Sequence, residues 1–285
     1  MTDLVWELEP ALTEPVLVIA LAGYFDTASA STGAIDWLVE HLEAQQLAHI
    51  EAEEFFDFQQ IRPQVVLEDG VTRRIVWPEN VIQVARSATG RDFVLLSGIE
   101  PHFHWRRFCA LLLDVVQRTG CETVVTLGAT PAQVPHTRMP PVFGSTTNVE
   151  LAARLGLRRP EYQGITGLVG VLHTVLERAD ITAIAMRVGV PHYAAGTHNP
   201  KAAMALLRHL EHVTGMPTGH GELAETVAAW ERHLDEAVAA DSEARSYIPR
   251  LEAHYDQEAE DQIPSADDLA EELERFLQEP PDDSR

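Results

Sequence analysis

Apolar residues run without interruption from position 15 to position 22 and stop at Gly23. A strand covered on both faces has this pattern, whereas one with a solvated face alternates. Segments 92–97, 122–127 and 181–188 share its length and its bounding turn residues, which predicts interior strands of a sheet with parallel members. Helical periodicity fills the intervals at residues 29–45, 104–118, 167–178 and 201–213, with short Gly- or Pro-containing turns between them. Strands alternating with helices predict an α/β fold, a layered sheet with parallel strands flanked by helices. Segments 50–53, 64–67 and 73–77 read as shorter strands, antiparallel at an edge.

After Gly219-His220-Gly221 the pattern becomes rich in Glu, Asp and Ala and reads as two or three amphipathic helices, the first over residues 223–240. This divides the 285 residues into an α/β domain, 1–218, and a helical acidic C-terminal region, 219–285. Residues 221–285 hold 20 acidic against 5 basic side chains, a net of −15 within a chain total of −23. The acidic residues form either a solvated helical face or a docking surface for a basic partner. Near the end, Ser265 is placed to cap a helix whose apolar stripe is Leu269, Leu273, Phe276 and Leu277.

That charge argues against nonspecific nucleic-acid binding, which needs clustered Lys and Arg. No apolar run spans a bilayer and no signal peptide opens the chain, so a cytoplasmic protein without membrane association is expected. Cys109 and Cys121 lack the spacing of a zinc site or redox pair and are expected to be buried thiols. Phosphate-loop, dinucleotide, nucleophile-elbow and zinc-protease signatures are missing. Lys201 is the sole lysine, and neither the His102/His104 nor the His209/His212 pair has converging carboxylates, so no metal and no cofactor are expected.

Candidate chemistry lies just past the predicted strands, where open α/β sheets place their binding crevices. Asp26, in Gly23-Tyr24-Phe25-Asp26, either caps the next helix or holds a ligand hydroxyl. Glu100, in Glu100-Pro101, reaches either the crevice or backbone amides. Pro135-His136-Thr137-Arg138 lies in a long proline-bracketed loop. His136 is suited to proton exchange and Arg138 to a bidentate grip on carboxylate or phosphate. The alternative is that the two tie the loop to a carboxylate elsewhere, Asp57 or Glu100 among them. Val190-Pro191-His192-Tyr193 follows another strand and offers His192 and Tyr193, and the two Pro-His loops meet if they share a sheet edge.

These clusters in this order, with Phe56-Asp57-Phe58, Arg62-Pro63, Leu251-Glu252, Tyr255-Asp256 and the ending Glu271-Glu272-Leu273-Glu274-Arg275-Phe276-Leu277, resemble the proteasome assembly chaperone 2 (PAC2) family in its bacterial, actinobacterial-type branch. The resemblance spans nearly the whole chain. It implies an α/β sandwich similar to the nucleoside phosphorylase/hydrolase type with added C-terminal helices. It also implies a homo-oligomer, a trimer being favoured, and a noncatalytic assembly role with proteasome subunits or another protein as partner. The competing reading is a nucleoside-, nucleotide- or carboxylate-binding enzyme or sensor using the strand-end crevice, with Glu100, His136 and Arg138 as its residues. The hydrophobic-Tyr-x tail with which some archaeal relatives dock is replaced here by Pro280-Pro281-Asp282-Asp283-Ser284-Arg285.

Overall fold

The structure, a computed structural model, describes residues 3–9 and 11–261; the terminal apolar stripe 269–277 lies outside them. Ten strands appear: β1 Leu4–Trp6, β2 Val16–Ala22, β3 Gln45–Ile50, β4 Gln64–Glu68, β5 Thr72–Val76, β6 Asn80–Arg86, β7 Asp92–Ile99, β8 Thr123–Ala132, β9 Val142–Thr146 and β10 Thr182–Pro191. The helices are α1 Ala30–His41, α2 Trp105–Thr119, α3 Val149–Leu155, α4 Leu168–Arg178, α5 Pro200–Thr214, α6 Ala224–Ala240 and α7 Ser242–Asp261.

Eight strands form one mixed sheet in the order β1-β3-β6-β7-β2-β8-β10-β9. Its centre, β7-β2-β8-β10, is parallel, and the flanking pairings are antiparallel. The unbroken apolar run of β2 follows from this position. Val16, Val18 and Ala20 face α1 and α5 on one side, and Leu17, Ile19 and Leu21 face α2 and α4 on the other. Small residues on α1 and α5, including Ala30, Ala34, Ala202 and Ala205, let these two helices sit close together over the sheet. Phe55, Phe93 and Phe108 are fully buried, and both cysteines are buried free thiols.

The predicted helix 29–45 stops early: α1 ends at His41, and Glu43 has φ +50, a left-handed conformation that breaks helical hydrogen bonding. The strand expected at 50–53 consequently lies earlier, as β3, with Leu47, Ala48 and Ile50 inward. The strand expected over 122–127 continues to Ala132 and includes Pro131. Neighbouring β2 pairs with β8 only as far as Thr126, so Pro131 lies where β8 has become an edge and loses no ladder bond on that side. Strands β1, β6 and β9 and helix α3 were not among the predicted elements.

Among the described residues, strands β4 and β5 pair only with each other. They form an arm between β3 and β6, with Phe58 against Trp77 at its base, ring centroids 5.0 Å apart. The C-terminal helices belong to the same fold: α6 packs on α5, and α7 folds back along α6.

Candidate functional site

The parallel strands reverse their winding between β2 and β8, so the carboxyl ends of that pair mark the usual crevice of an open α/β sheet. Here Phe25 occupies it. The Phe25 carbonyl accepts the Ala129 N–H at 2.6 Å. The Arg187 guanidinium covers the ring at 4.3 Å. About 10 Å³ remains, lined by Phe25, Thr126, Gly128, Val169, Met186 and Arg187, which is room for about one water. Below it Thr126 Oγ1 meets His173 Nε2 at 2.8 Å. Burial, with Arg187 adding to it, pushes the His173 pKa down to about 4.

Two of the sequence-predicted residues flank this crevice and bond to backbone. Asp26 Oδ1 accepts from the Ser31 N–H at 2.9 Å, the Thr32 N–H at 3.1 Å and the Ser31 hydroxyl, while Oδ2 accepts from the Thr32 hydroxyl at 2.6 Å. It thereby caps α1, whose own N-cap, Ser29, makes no side-chain bond. Glu100 Oε1 accepts the Leu168 N–H at 3.1 Å, placing a carboxylate at the start of α4, where the helix dipole favours negative charge. Its Oε2 lies 2.9 Å from where a Cβ would stand at Gly23, whose φ of +155 favours glycine at that turn.

The other four candidates gather at the next strand pair, where the two Pro-His loops meet (Tyr193 following β10, His136 following β8). The Tyr193 hydroxyl oxygen accepts the His136 backbone N–H at 2.7 Å and lies 2.7 Å from His136 Nδ1. That leaves the hydroxyl proton for Nδ1, and His136 Nε2–H then donates to Asp235 at 3.0 Å. Burial pushes the Tyr193 hydroxyl up to about 12. His136 is 1% exposed.

Lys201, 5% exposed, donates to the His136 carbonyl at 2.7 Å and pairs with Glu231 of α6. Thr137 donates to Glu252, and Arg138 forks onto Asp256 with Nε–Oδ1 2.9 Å and Nη2–Oδ2 2.8 Å. That fork holds the Asp256 carboxyl below the usual carboxylate range. The Tyr255 hydroxyl donates to the Met139 carbonyl at 2.9 Å, and His192 bridges the Ala132 carbonyl and the Tyr247 hydroxyl.

The carboxylates facing Pro135-His136-Thr137-Arg138 are therefore Asp235, Glu252 and Asp256 of the C-terminal helices, rather than Asp57 or Glu100. The loop fastens α6 and α7 to the α/β body. Beside it, an open groove of about 720 Å³ runs between α6, α7 and the His192-Tyr193 turn, with Leu234, Val238, Tyr247 and Ile248 on its walls. Sequence reasoning missed Glu231 and Asp235, two carboxylates among many on an acidic helix. The isolation of Lys201 as the sole lysine was the available signal for the first.

Among the described residues no group of three or more His, Cys, Asp or Glu is placed to hold a metal ion, and no helix is long and apolar enough to cross a membrane.

The PAC2 family profile matches residues 20–238. None of the curated proteins matches the sequence. A PAC2 family protein from Streptomyces avermitilis is 39% identical with a TM-score of 0.76, covering 82% of this chain and 99% of its own. A proteasome-assembly chaperone homologue from Mycobacterium tuberculosis is 38% identical with a TM-score of 0.74 and the same two coverages, 82% and 99%. At 19% identity, a Pyrococcus furiosus archaeal proteasome activator shares the fold, with a TM-score of 0.66 over 82% of this chain and 97% of its own.

Proposed function

The chain belongs to the PAC2 family, and from that premise we propose that it is a noncatalytic assembly protein of the cytoplasm, holding proteasome subunits or another protein partner during complex formation. The observation that carries this reading is the use of its most reactive-looking side chains. Asp26 and Glu100 bond helix starts, and His136 and Arg138 bond the C-terminal helices. The crevice at the winding reversal is filled by Phe25 and roofed by Arg187. Kinship with a mycobacterial proteasome-assembly chaperone homologue supports the same reading.

What such a body offers a partner is surface. Tyr24, Phe103 and Ile165 are exposed apolar residues on loops that follow β2 and β7 or precede α4, a type of surface that protein interfaces use. The acidic faces of α6 and α7 add a region that favours basic partners.

The test is native mass spectrometry of the full chain, alone and with separately expressed α and β proteasome subunits from the same organism. The expected result is a complex with free subunits that is absent once the core particle is complete. If the chain ignores the subunits, and its deletion leaves core-particle assembly unchanged, the proteasome assignment fails. A retained small-molecule mass would favour the ligand-binding reading instead.

A further inference from the structure

One side of the body joins exposed aromatic and apolar side chains to arginines that meet no carboxylate. Phe143 of β9 stands opposite Arg187 of β10, so both project from the same face of the sheet. The Arg158 guanidinium lies 5.1 Å from the centre of the Phe143 ring, and that of Arg187 lies 4.3 Å from the centre of the Phe25 ring. The loop 158–167 frames this surface. Its first residue, Arg158, bonds through its backbone to Gly144 and Thr146 of β9, and its last, Gly167, sits beside the Phe25 ring. Every residue from Arg158 to Thr166 is exposed. Tyr162 is 76%, Ile165 95% and Phe143 49% exposed, a concentration of bare apolar area that calls for cover. Arg74, Arg86, Arg91, Arg107, Arg118 and Arg138 each pair with a carboxylate. Among the described residues Arg158, Arg159 and Arg187 pair with none.

The complement of such a surface is acidic and apolar at once. In this chain, residues 265–279 hold six acidic side chains against the single Arg275. Leu269, Leu273, Phe276 and Leu277, outside the described residues, recur at the spacing of one helical face. An amphipathic helix of that length is marginal in water and needs a surface to pack on. The α6–α7 groove is the other apolar surface at hand, but Asp241 and Glu243 lie in its lining and both helices carry a surplus of carboxylates. Like charges oppose the segment there, whereas the arginines of the β9–β10 side attract it. Reach agrees. The Tyr255 hydroxyl is bonded to the Met139 carbonyl, a short distance in sequence before Phe143. From Tyr255, α7 continues about 9 Å to Asp261, and Phe143 is at most about 14 Å from Met139. The stretch from Gln262 to Asp268 extends up to about 24 Å and the apolar stripe adds about 12 Å, enough to bring the stripe to the arginines of its own chain.

We propose that the acidic segment 265–279 docks on the Phe143-Arg158-Arg187 surface of the same chain, its apolar stripe against Phe143, Tyr162 and Ile165 and its carboxylates against the three arginines. Docked there it covers Ile165, so a partner that uses this residue must displace the segment first. The docking itself does not depend on the proteasome assignment, and its test uses no proteasome subunit.

The experiment is hydrogen exchange of the full chain, read by mass spectrometry. Amides 269–277 are expected to exchange at least tenfold more slowly than an unstructured peptide of the same sequence. In Arg158→Glu/Arg159→Glu/Arg187→Glu that protection should be lost while β2 and β8 stay protected, and in the triple Arg→Lys variant, which keeps the charge, it should persist in large part. Unprotected amides in the unaltered chain overturn the proposal, as does protection that survives the charge reversal. If the charge-reversed body misfolds, Leu273→Asp/Phe276→Asp tests the contact from the other side; amides 159–166 should then exchange at least tenfold faster, and an unchanged rate refutes the contact. Gln163→Cys/Gln278→Cys, treated with a short bismaleimide, decides which copy is used. A link within one chain is expected, because Cys109 and Cys121 are buried and do not compete. A link only between chains, or none, overturns the proposal.

Discussion

Replacing Glu231 by alanine leaves Lys201 with its charge and without its counter-ion. Lys201 is 5% exposed, inside the junction of α5, α6 and the His136 loop, and its remaining partner is the His136 carbonyl. Breaking a buried ion pair from one side costs about 3–5 kcal/mol, because the surviving charge is stranded. The alternative single change, Lys201→Met, strands less. Glu231 is 34% exposed and can turn to water, Met occupies the volume of the lysine stem, and the cost reduces to an unpaired His136 carbonyl, about 1–3 kcal/mol. The double variant Lys201→Met/Glu231→Ala then has no stranded charge. It should be more stable than Glu231→Ala alone by about 2 kcal/mol, a second substitution that repairs the first. Urea unfolding of the full chain at one fixed protein concentration measures this. With a slope near 3 kcal/mol/M, Glu231→Ala should lower the midpoint by about 1 M and the double variant should recover more than half of that. Additive single effects, or a double variant weaker than Glu231→Ala, would refute the claim that Lys201 is a charge held by Glu231.

Asp26→Ala removes every side-chain bond that caps α1 and should cost about 1–2 kcal/mol in the same urea assay, with an unchanged midpoint counting against the cap. In Arg138→Ala, hydrogen exchange should accelerate in α7 around Asp256 while β2 and β8 stay protected, and uniform protection throughout would show that the fork does not hold that helix. The pKa of His173 is depressed to about 4 in the fold, so between pH 6.5 and 4 the unfolded chain binds a proton that the folded chain refuses. Its contribution to stability is intact above pH 6.5 and falls as pH drops to 4, by about 3 kcal/mol in total. Stability against pH for His173→Gln should be flatter than for the unaltered chain by that amount, and parallel curves would sink the assignment.

The interior of the fold was legible in the sequence because burial on both faces writes itself as uninterrupted apolar runs, as in β2 and the Ala183-Ile184-Ala185-Met186 stretch of β10. Elements with mixed patterns were not. Strand β9 is five residues with Gly144 at its centre, and β6 alternates buried and half-buried positions through Gln83, so neither stands out as a buried strand. The polar clusters were legible as clusters, since His136, Arg138, His192 and Tyr193 are chemically versatile side chains concentrated beside prolines just past predicted strands. Their partners Glu231 and Asp235 were not, because they lie on a helix where acidic residues are the background. Sequence order also hides distance: Tyr255-Asp256 stands out as a family landmark, yet nothing local in it points to Arg138, 118 positions away.

The junction at the Pro135-His136-Thr137-Arg138 loop also sets a schedule. Lys201 leaves the ribosome 30 residues ahead of Glu231, His136 99 residues ahead of Asp235, and Arg138 118 residues ahead of Asp256. At about 5–20 residues per second those intervals last from roughly 2 to roughly 24 seconds. From residue 201 onward the nascent body has a complete parallel centre, yet until residue 231 it carries a lysine with no counter-charge and until residue 256 an arginine with no carboxylate. Translation of α6 and α7 is therefore the step that supplies these partners, and a chain released before residue 231 carries its own signal of incompleteness.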